Sequence, residues 1–265
     1  MKANRPIGIF DSGVGGLTVL REIEKILPHE DIIYFGDTAR VPYGNKSKAT
    51  VIKFSAESIH FLLGKRAKMV IVACNTSSSL ALDYLTNNFS VPVIGVIEAG
   101  VKRALKATKG KKIGVIGTRS TIQSKSYEKA IHRKDRTVKV LSRACPLFVP
   151  LAEEGILSGE IVEEVIKMYL STMKAKGIDA IILGCTHYPL LKRTIALYLK
   201  NTHIVDSAKE VALHAKEILR RYYLFNRNKK KGKVEFYVTD EPQGFLKLAK
   251  LFLKRQIPHP KVLHV

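Results

Sequence analysis

The sequence has no tryptophan and only three cysteines, and acidic residues are scarce, with 23 Asp and Glu against 45 Lys and Arg. Each shortage excludes something. An odd cysteine count without close pairs argues against a disulfide framework, and no CxxC or His/Cys cluster has the spacing of a zinc site. Thiols kept free fit a reducing compartment. No apolar run reaches membrane-spanning length. Met1 to Pro6 lead straight into a strand-like run, without the apolar core of a signal peptide, so a cytoplasmic protein with no membrane partner is expected. The shortage of acid leaves a formal net charge of +22. Such an excess can draw nucleic acid, acidic membranes or anionic substrates. The basic residues are scattered, however. The one dense run, Asn228 to Lys233, looks like a solvated loop, and no helix-turn-helix, zinc finger or aromatic RNA platform is evident. The charge therefore reads as compositional bias with some electrostatic steering. It leaves a nucleic-acid partner open without calling for one.

What is present is a chain of 265 residues, 46% hydrophobic, long enough for one large or two ordinary domains. It is organised around two matching stretches, Val70 to Ser79 and Ala180 to Pro189. Each is a short apolar run that reads as a buried strand, followed by a small residue, a cysteine and polar residues suited to cap a helix. A helical pattern follows both, Leu80 to Leu85 and Leu190 to Leu199. Cys74 and Cys185 thus each sit between a strand end and a helix N-terminus, where positive partial charge favours thiolate. Either cysteine alone could be inert packing, since free Cys often behaves as a small hydrophobe. Two in matching contexts point to related halves, each presenting a thiol.

In chain order, Pro6 to Phe10 reads as a strand. The Gly-rich turn Asp11 to Thr18 then leads into a helix over Val19 to Leu27. This turn lets a ligand approach the backbone, yet it fits neither the dinucleotide fingerprint nor a Walker loop. Asp11 is either a helix N-cap or a catalytic carboxylate. Strand Asp31 to Phe35 runs into the polar loop Gly36 to Asn45, the position of ligand sites in α/β proteins. A helix over Ala49 to Leu63 and strands over Met69 to Ala73 and Val93 to Val96 complete the first half. The pattern restarts at Lys112 to Thr118, with helix Ser120 to His132, strand Val138 to Ser142, a loop over Arg143 to Pro150, helix Ile161 to Lys176 and the second cysteine strand. The expected class is α/β: two pseudo-symmetric, doubly wound domains with mainly parallel sheets and a site in the cleft between them. The expected boundaries are 1–97 with 207–265 for the first domain and 98–206 for the second, the C-terminal segment returning because it has no counterpart in the second repeat.

Two thiols facing one site suit a reaction whose substrate and product are mirror images. One group removes a proton from a stereocentre on one face and the other returns a proton on the opposite face. A thiol of ordinary pKa about 8.5 needs help to act as a base. Asp11 and His187 are the candidate helpers, one per thiol. Glu153 or its neighbour Glu154 could orient His187, and sequence does not choose between them. Cys145, before Pro146 and without a matched partner, is expected to be structural.

Five segments, Phe10 to Val19, Gly36 to Gly44, Val72 to Ser79, Cys145 to Gly155 and Leu183 to Leu191, together resemble the glutamate racemases, in that family's order and over roughly Ile7 to Asp206. The resemblance implies proton transfer between L- and D-glutamate with no cofactor or metal, supplying D-glutamate for peptidoglycan. It implies Cys74 as the base toward D-glutamate and Cys185 as the base toward L-glutamate. Asp11 then assists the first thiol, and Glu153 with His187 the second. Substrate contacts implied are Asp11, Ser12, Tyr43, Gly44, Asn75, Thr76, Thr186 and His187, with Thr118 and Thr121 secondary. A homodimer is expected. The first motif begins at residue 7, without the longer N-terminal extension of precursor-activated family members, so that regulation is not expected. Hydroxyls and backbone amides could hold the substrate carboxylates without a cation. Competing readings are a racemase for another acidic amino acid such as aspartate, a non-enzymatic cleft-binding protein, and a polyanion-binding protein.

Overall fold

The computed structural model describes residues 2–263. Among these residues, ten strands form two separate sheets. The first holds β1 (Ile7–Asp11), β2 (Ile32–Gly36), β3 (Met69–Val72), β4 (Val93–Gly95), β9 (Val234–Val238) and β10 (Lys261–Val262), in the order β10-β9-β2-β1-β3-β4. The second holds β5 (Lys112–Gly117), β6 (Lys139–Ala144), β7 (Ala180–Gly184) and β8 (His203–Val205), in the order β6-β5-β7-β8. Every pairing is parallel. The four strands of the second sheet repeat the β2-β1-β3-β4 order of the first, so the two halves are pseudo-symmetric in connection as well as in sequence. The C-terminal segment adds β9 and β10 beyond β2.

The apolar runs behave as a parallel sheet requires. β1, β2, β3 and β7 are buried along their whole length because helices cover both faces. Ile7, Ile9, Tyr34 and Ile71 pack on one face of the first sheet with Leu17, Leu20 and Val211. Phe10, Phe35, Val70 and Val72 pack on the other with Ile59 and Leu62. Each such side chain contributes about 1.5–3 kcal/mol on burial. No helix among the described residues is long and apolar enough to cross a membrane.

Four local features depart from the periodicity. The helix after Cys74 starts at once, as Asn75–Leu80, and a second helix, Leu82–Asn88, follows. The stretch over Ser120 to His132 splits into Arg119–Gln123 and Ser126–Lys134 about Lys125, whose φ of 55° is left-handed. Arg143 and Ala144 belong to β6, and Phe148–Glu153 is a short helix that ends on Glu153. A helix over Ile97–Ala107, with Ile97, Val101 and Ala104 in the core of the second sheet, occupies residues with no clear sequence signal.

Candidate active site

In both sheets the strand order reverses between the first and third strands of the repeat, β1/β3 and β5/β7. Open α/β sheets bind ligands at that point, beyond the carboxyl ends of the strands. The two switch points face each other. Asp11 ends β1, Cys74 lies two residues past β3, Thr118 follows β5 and Cys185 follows β7. Between them is a cavity of about 350 Å³ whose lining includes both thiols, Cys74 and Cys185. Two chain segments 111 positions apart are thus brought to one hollow.

The halves meet closely because glycine permits it. A Cβ on Gly15 would lie 2.2 Å from Thr186 Oγ1 and 2.9 Å from His187 Nδ1, and one on Gly44 would lie 2.6 Å from Thr118 Cβ. Hydroxyls then bridge the gap. Thr76 Oγ1 is 3.0 Å from Thr118 Oγ1 and 3.3 Å from Thr121 Oγ1, and Ser120 Oγ donates to the Gly44 carbonyl at 2.8 Å. The break at Lys125 turns the next residues toward the first half. Ser126 Oγ donates to Ser79 O at 2.9 Å, and Tyr127 OH donates to Asn75 Oδ1 at 2.6 Å.

Around Cys74, the Sγ donates to Ser12 Oγ at 3.5 Å. Cys74 occupies the N-cap position of helix Asn75–Leu80. The sequence expectation of a favoured thiolate is not met at Cys74. Burial pushes the Cys74 thiol up to about 11, and the Asp11 carboxylate adds to the rise, outweighing the lowering from Ser12 and Ser77. Asp11 is not a helix cap, since Gly16 holds that position. It is fully buried behind the cavity wall, where its Oδ2 accepts from the Gly13 N–H at 3.0 Å and its Oδ1 from Thr186 Oγ1 at 3.4 Å. Burial raises its pKa above the ordinary value, with His187, the Gly13 and Gly16 amides and Thr186 opposing.

Around Cys185, the Sγ lies 3.9 Å from His187 Nδ1, and His187 Nε2 lies 3.0 Å from Glu153 Oε1. The ring N–H is aimed off that oxygen, so the contact is an ion pair without hydrogen-bond alignment. Burial works against the imidazolium, but the sulfur of Cys185 and the Glu153 carboxylate prevail, and the His187 pKa is pushed up to about 10. Phe252, from the returning C-terminal segment, stands edge-on to the ring at 5.7 Å. Glu154 is exposed and outside the cavity, so geometry separates the two candidate carboxylates.

Of the remaining sequence candidates, Ser12, Tyr43, Gly44, Asn75, Thr76 and Thr186 all line the cavity, Thr118 lines it, and Thr121 stands behind Thr118. Tyr43 enters differently from a hydroxyl donor. Its OH is spent on buried Asp37, which also accepts from Arg40 Nε at 2.7 Å and from Thr239 Oγ1 at 3.0 Å. The Tyr43 hydroxyl is therefore already engaged outside the set of cavity-lining residues. Cys145 is buried outside the cavity, with its carbonyl accepting from Tyr188 OH at 2.8 Å. Sequence reasoning missed Arg119, Pro146, Val149 and Pro150, which also line the cavity. Arg119 is exposed, so the site has a cation at its rim. Its position directly after Thr118, at a strand end matching Ser12, was the available signal.

Paired thiols at equivalent strand ends and one cavity between pseudo-symmetric α/β halves point to an amino-acid racemase. The model of the Asp/Glu/Hydantoin racemase family matches residues 7–215. The chain is 51% identical over 250 residues to a glutamate racemase of Geobacter metallireducens, covering 94% of this chain and 93% of that one. The glutamate racemase of Francisella tularensis, solved with D-glutamate, superposes with a TM-score of 0.92 at 44% identity, over 98% of both chains. The Thermus thermophilus glutamate racemase, solved with β-chloro-D-alanine, superposes with a TM-score of 0.89 at 40% identity, over 99% of this chain and 98% of that one. The protein belongs to the Asp/Glu racemase family.

Proposed function

We propose that the protein interconverts L- and D-glutamate by moving the α-proton, with Cys74 and Cys185 as the two acid–base groups. The observation that carries this reading is that both thiols line one cavity from equivalent strand ends of opposite halves. Relatives named glutamate racemase support the choice of substrate. From D-glutamate, the Cys74 sulfur takes the α-proton and leaves the electron pair on the α-carbon, delocalised into the carboxylate. The Cys185 thiol then delivers its own proton to the opposite face, giving L-glutamate, and the reverse direction exchanges the roles. A stereocentre held between two thiols needs no rotation in the site.

Asp11 assists the first transfer and His187, held by Glu153, the second. The high pKa of free Cys74 rests on burial and on the Asp11 charge. A substrate ammonium near Asp11 would offset that charge and make the thiol easier to ionise. Ser12, Asn75, Thr76, Thr186 and the backbone at Tyr43 and Gly44 supply donors for the carboxylates. In this reading residues 1–97 with 207–265 form one lobe and 98–206 the other, the enzyme works in the cytoplasm as a homodimer, and its D-glutamate serves peptidoglycan synthesis.

The test is solvent exchange. Reduced, purified enzyme incubated with either enantiomer in deuterated water, without added pyridoxal phosphate, is expected to place deuterium at the α-carbon and to lose optical activity. No incorporation from either enantiomer overturns the reading, as does a requirement for pyridoxal phosphate.

A further inference from the structure

The cavity above lies at the carboxyl ends of the strands. A second hollow, of about 710 Å³, lies at the opposite edge of the first sheet. Its lining comes from residues that precede strands, Arg5 before β1, Lys68 before β3 and Pro92 before β4, together with Ile218, Tyr222 and Leu224 from the end of helix Ala208–Arg221 and beyond it. The lining mixes apolar side chains with Arg5, Lys68, Thr86 and Ser90, and Tyr222 contributes to it while remaining 52% exposed. A hollow of this size and lining suits a flat organic group.

The chain leaving this lining is its other notable feature. Residues 220–233 contain seven cations, Arg220, Arg221, Arg227, Lys229, Lys230, Lys231 and Lys233, and no acid. Among the described residues none of the seven forms an ion pair, whereas Arg40, Lys68, Arg133 and Arg255 elsewhere do. All seven are exposed. The segment is solvated, as its composition implies, yet its backbone is held. The Asn226 N–H donates to Glu30 Oε1 at 2.8 Å, Asn226 Nδ2 to His29 O at 2.9 Å, the Gly232 N–H to Pro28 O at 2.9 Å and the Lys233 N–H to Asp31 Oδ1 at 2.8 Å. Glu30 is held in turn by buried Lys68, whose Nζ also donates to Ala3 O at 2.5 Å. The backbone is pinned to the β1/β2 connection while the cations point to solvent. A pinned strap has already lost the conformational freedom that binding would otherwise cost.

We propose that this hollow and its basic strap bind single-stranded nucleic acid, with phosphates along the strap and a base against Tyr222. Unpaired cations without neighbouring acid attract a phosphodiester chain by counterion release. A half-exposed tyrosine lining a hollow supplies the stacking platform that unpaired bases use and that a duplex, with its bases already stacked, does not need. A concave hollow also fits an extruded base better than the flat surface of a membrane.

Fluorescence anisotropy with labelled oligo(dT) and oligo(U) tests this, over about 50 to 200 mM salt. Binding is expected in the micromolar range near physiological salt, with little sequence preference. Replacing Lys229, Lys230 and Lys231 together by Gln should reduce the salt slope by about 2, at about 0.7 per phosphate contact on a single strand. Tyr222→Ala should weaken binding about tenfold with the slope unchanged, because stacking is uncharged. Tyr222→Trp supplies a check independent of stability. The parent chain has no tryptophan, so the indole fluorescence of this variant reports that position alone and should be quenched on binding. Retained racemisation shows that each variant is folded, since none of these residues lines the catalytic cavity. The proposal is overturned if the parent shows no saturable binding, if the indole fluorescence of Tyr222→Trp does not respond to oligonucleotide, or if blunt duplex or anionic vesicles are bound more tightly than the single strand.

Discussion

Tyr127 OH donates to Asn75 Oδ1 at 2.6 Å, from the second half of the molecule to the residue directly after Cys74 in the first. With Oδ1 engaged, the amide nitrogen of Asn75 is left without a hydrogen bond among the described residues, on a side chain that lines the cavity. Tyr127→Phe removes the donor and leaves a buried acceptor unpaired, which costs about 1–3 kcal/mol of stability. Misalignment of Asn75 should also raise KM for glutamate about fivefold or more, with a smaller effect on kcat. Denaturant unfolding and steady-state kinetics check both. An unchanged KM would show that the bond matters only for folding.

Gly15→Ala places a methyl group where Thr186 Oγ1 and His187 Nδ1 now sit. The expected result is a loss of about 100-fold in kcat/KM, the scale of a misplacement of about 1 Å in a reacting constellation. A variant with parental kinetics would mean that the two halves do not close this tightly during turnover.

Replacing either Cys74 or Cys185 by Ser substitutes a far less acidic hydroxyl. Racemisation needs both transfers and should fall by roughly 10²–10⁴-fold in each variant. Elimination from an analogue with a β-leaving group, such as β-chloroalanine, needs abstraction alone. Cys185→Ser should still process the D-form through Cys74, and Cys74→Ser the L-form through Cys185. Loss of both eliminations in one variant and of neither in the other would leave a single catalytic thiol. Cys145→Ser should keep most activity, because that sulfur is buried outside the cavity.

Alkylation of Cys74 in substrate-free enzyme, followed by peptide mass spectrometry, should keep rising as the pH approaches about 11. Asp11→Asn removes the neighbouring negative charge and should speed that reaction at neutral pH while racemisation falls. Equal alkylation rates in parent and variant would rule out the Asp11 charge as a cause.

His187 links stability to pH. Its pKa in the folded protein, about 10, lies above the ordinary 6.5. The stability it contributes is fully present below pH 6.5 and is lost as pH rises through about 10. Glu153→Gln removes one of the two groups that raise this pKa, so the His187 contribution should be smaller and its loss complete at lower pH. Superimposable stability profiles for parent and variant would show that Glu153 does not hold the imidazolium.

Much of this molecule is written locally. The runs Ile7 to Phe10, Met69 to Val72 and Ala180 to Leu183 are apolar without alternation, as strands buried on both faces must be, and the small and polar residues after them end the strands. The repeat of that unit made two parallel α/β halves legible, along with the two thiols and the identity of most of the residues around them. Shorter pieces were not legible. β8 has three residues and β10 two, too few to carry a period, and the helix Ile97–Ala107 spans the point where one half gives way to the other.

By itself the sequence determined the class of fold, the order of its parts and which side chains have the chemistry to move a proton. The tertiary structure alone decided how they are used. It joined Cys74 to Cys185 across 111 positions, chose Glu153 over Glu154, turned the Tyr43 hydroxyl away onto Asp37, and brought Arg119 to the rim. It also reversed the expected tendency of Cys74, because a helix N-terminus is a local field whereas burial beside another carboxyl belongs to the whole packed interior. Propensity and periodicity act between near neighbours along the chain. Distance, burial and charge pairing at a site are set by which distant segments the fold packs together.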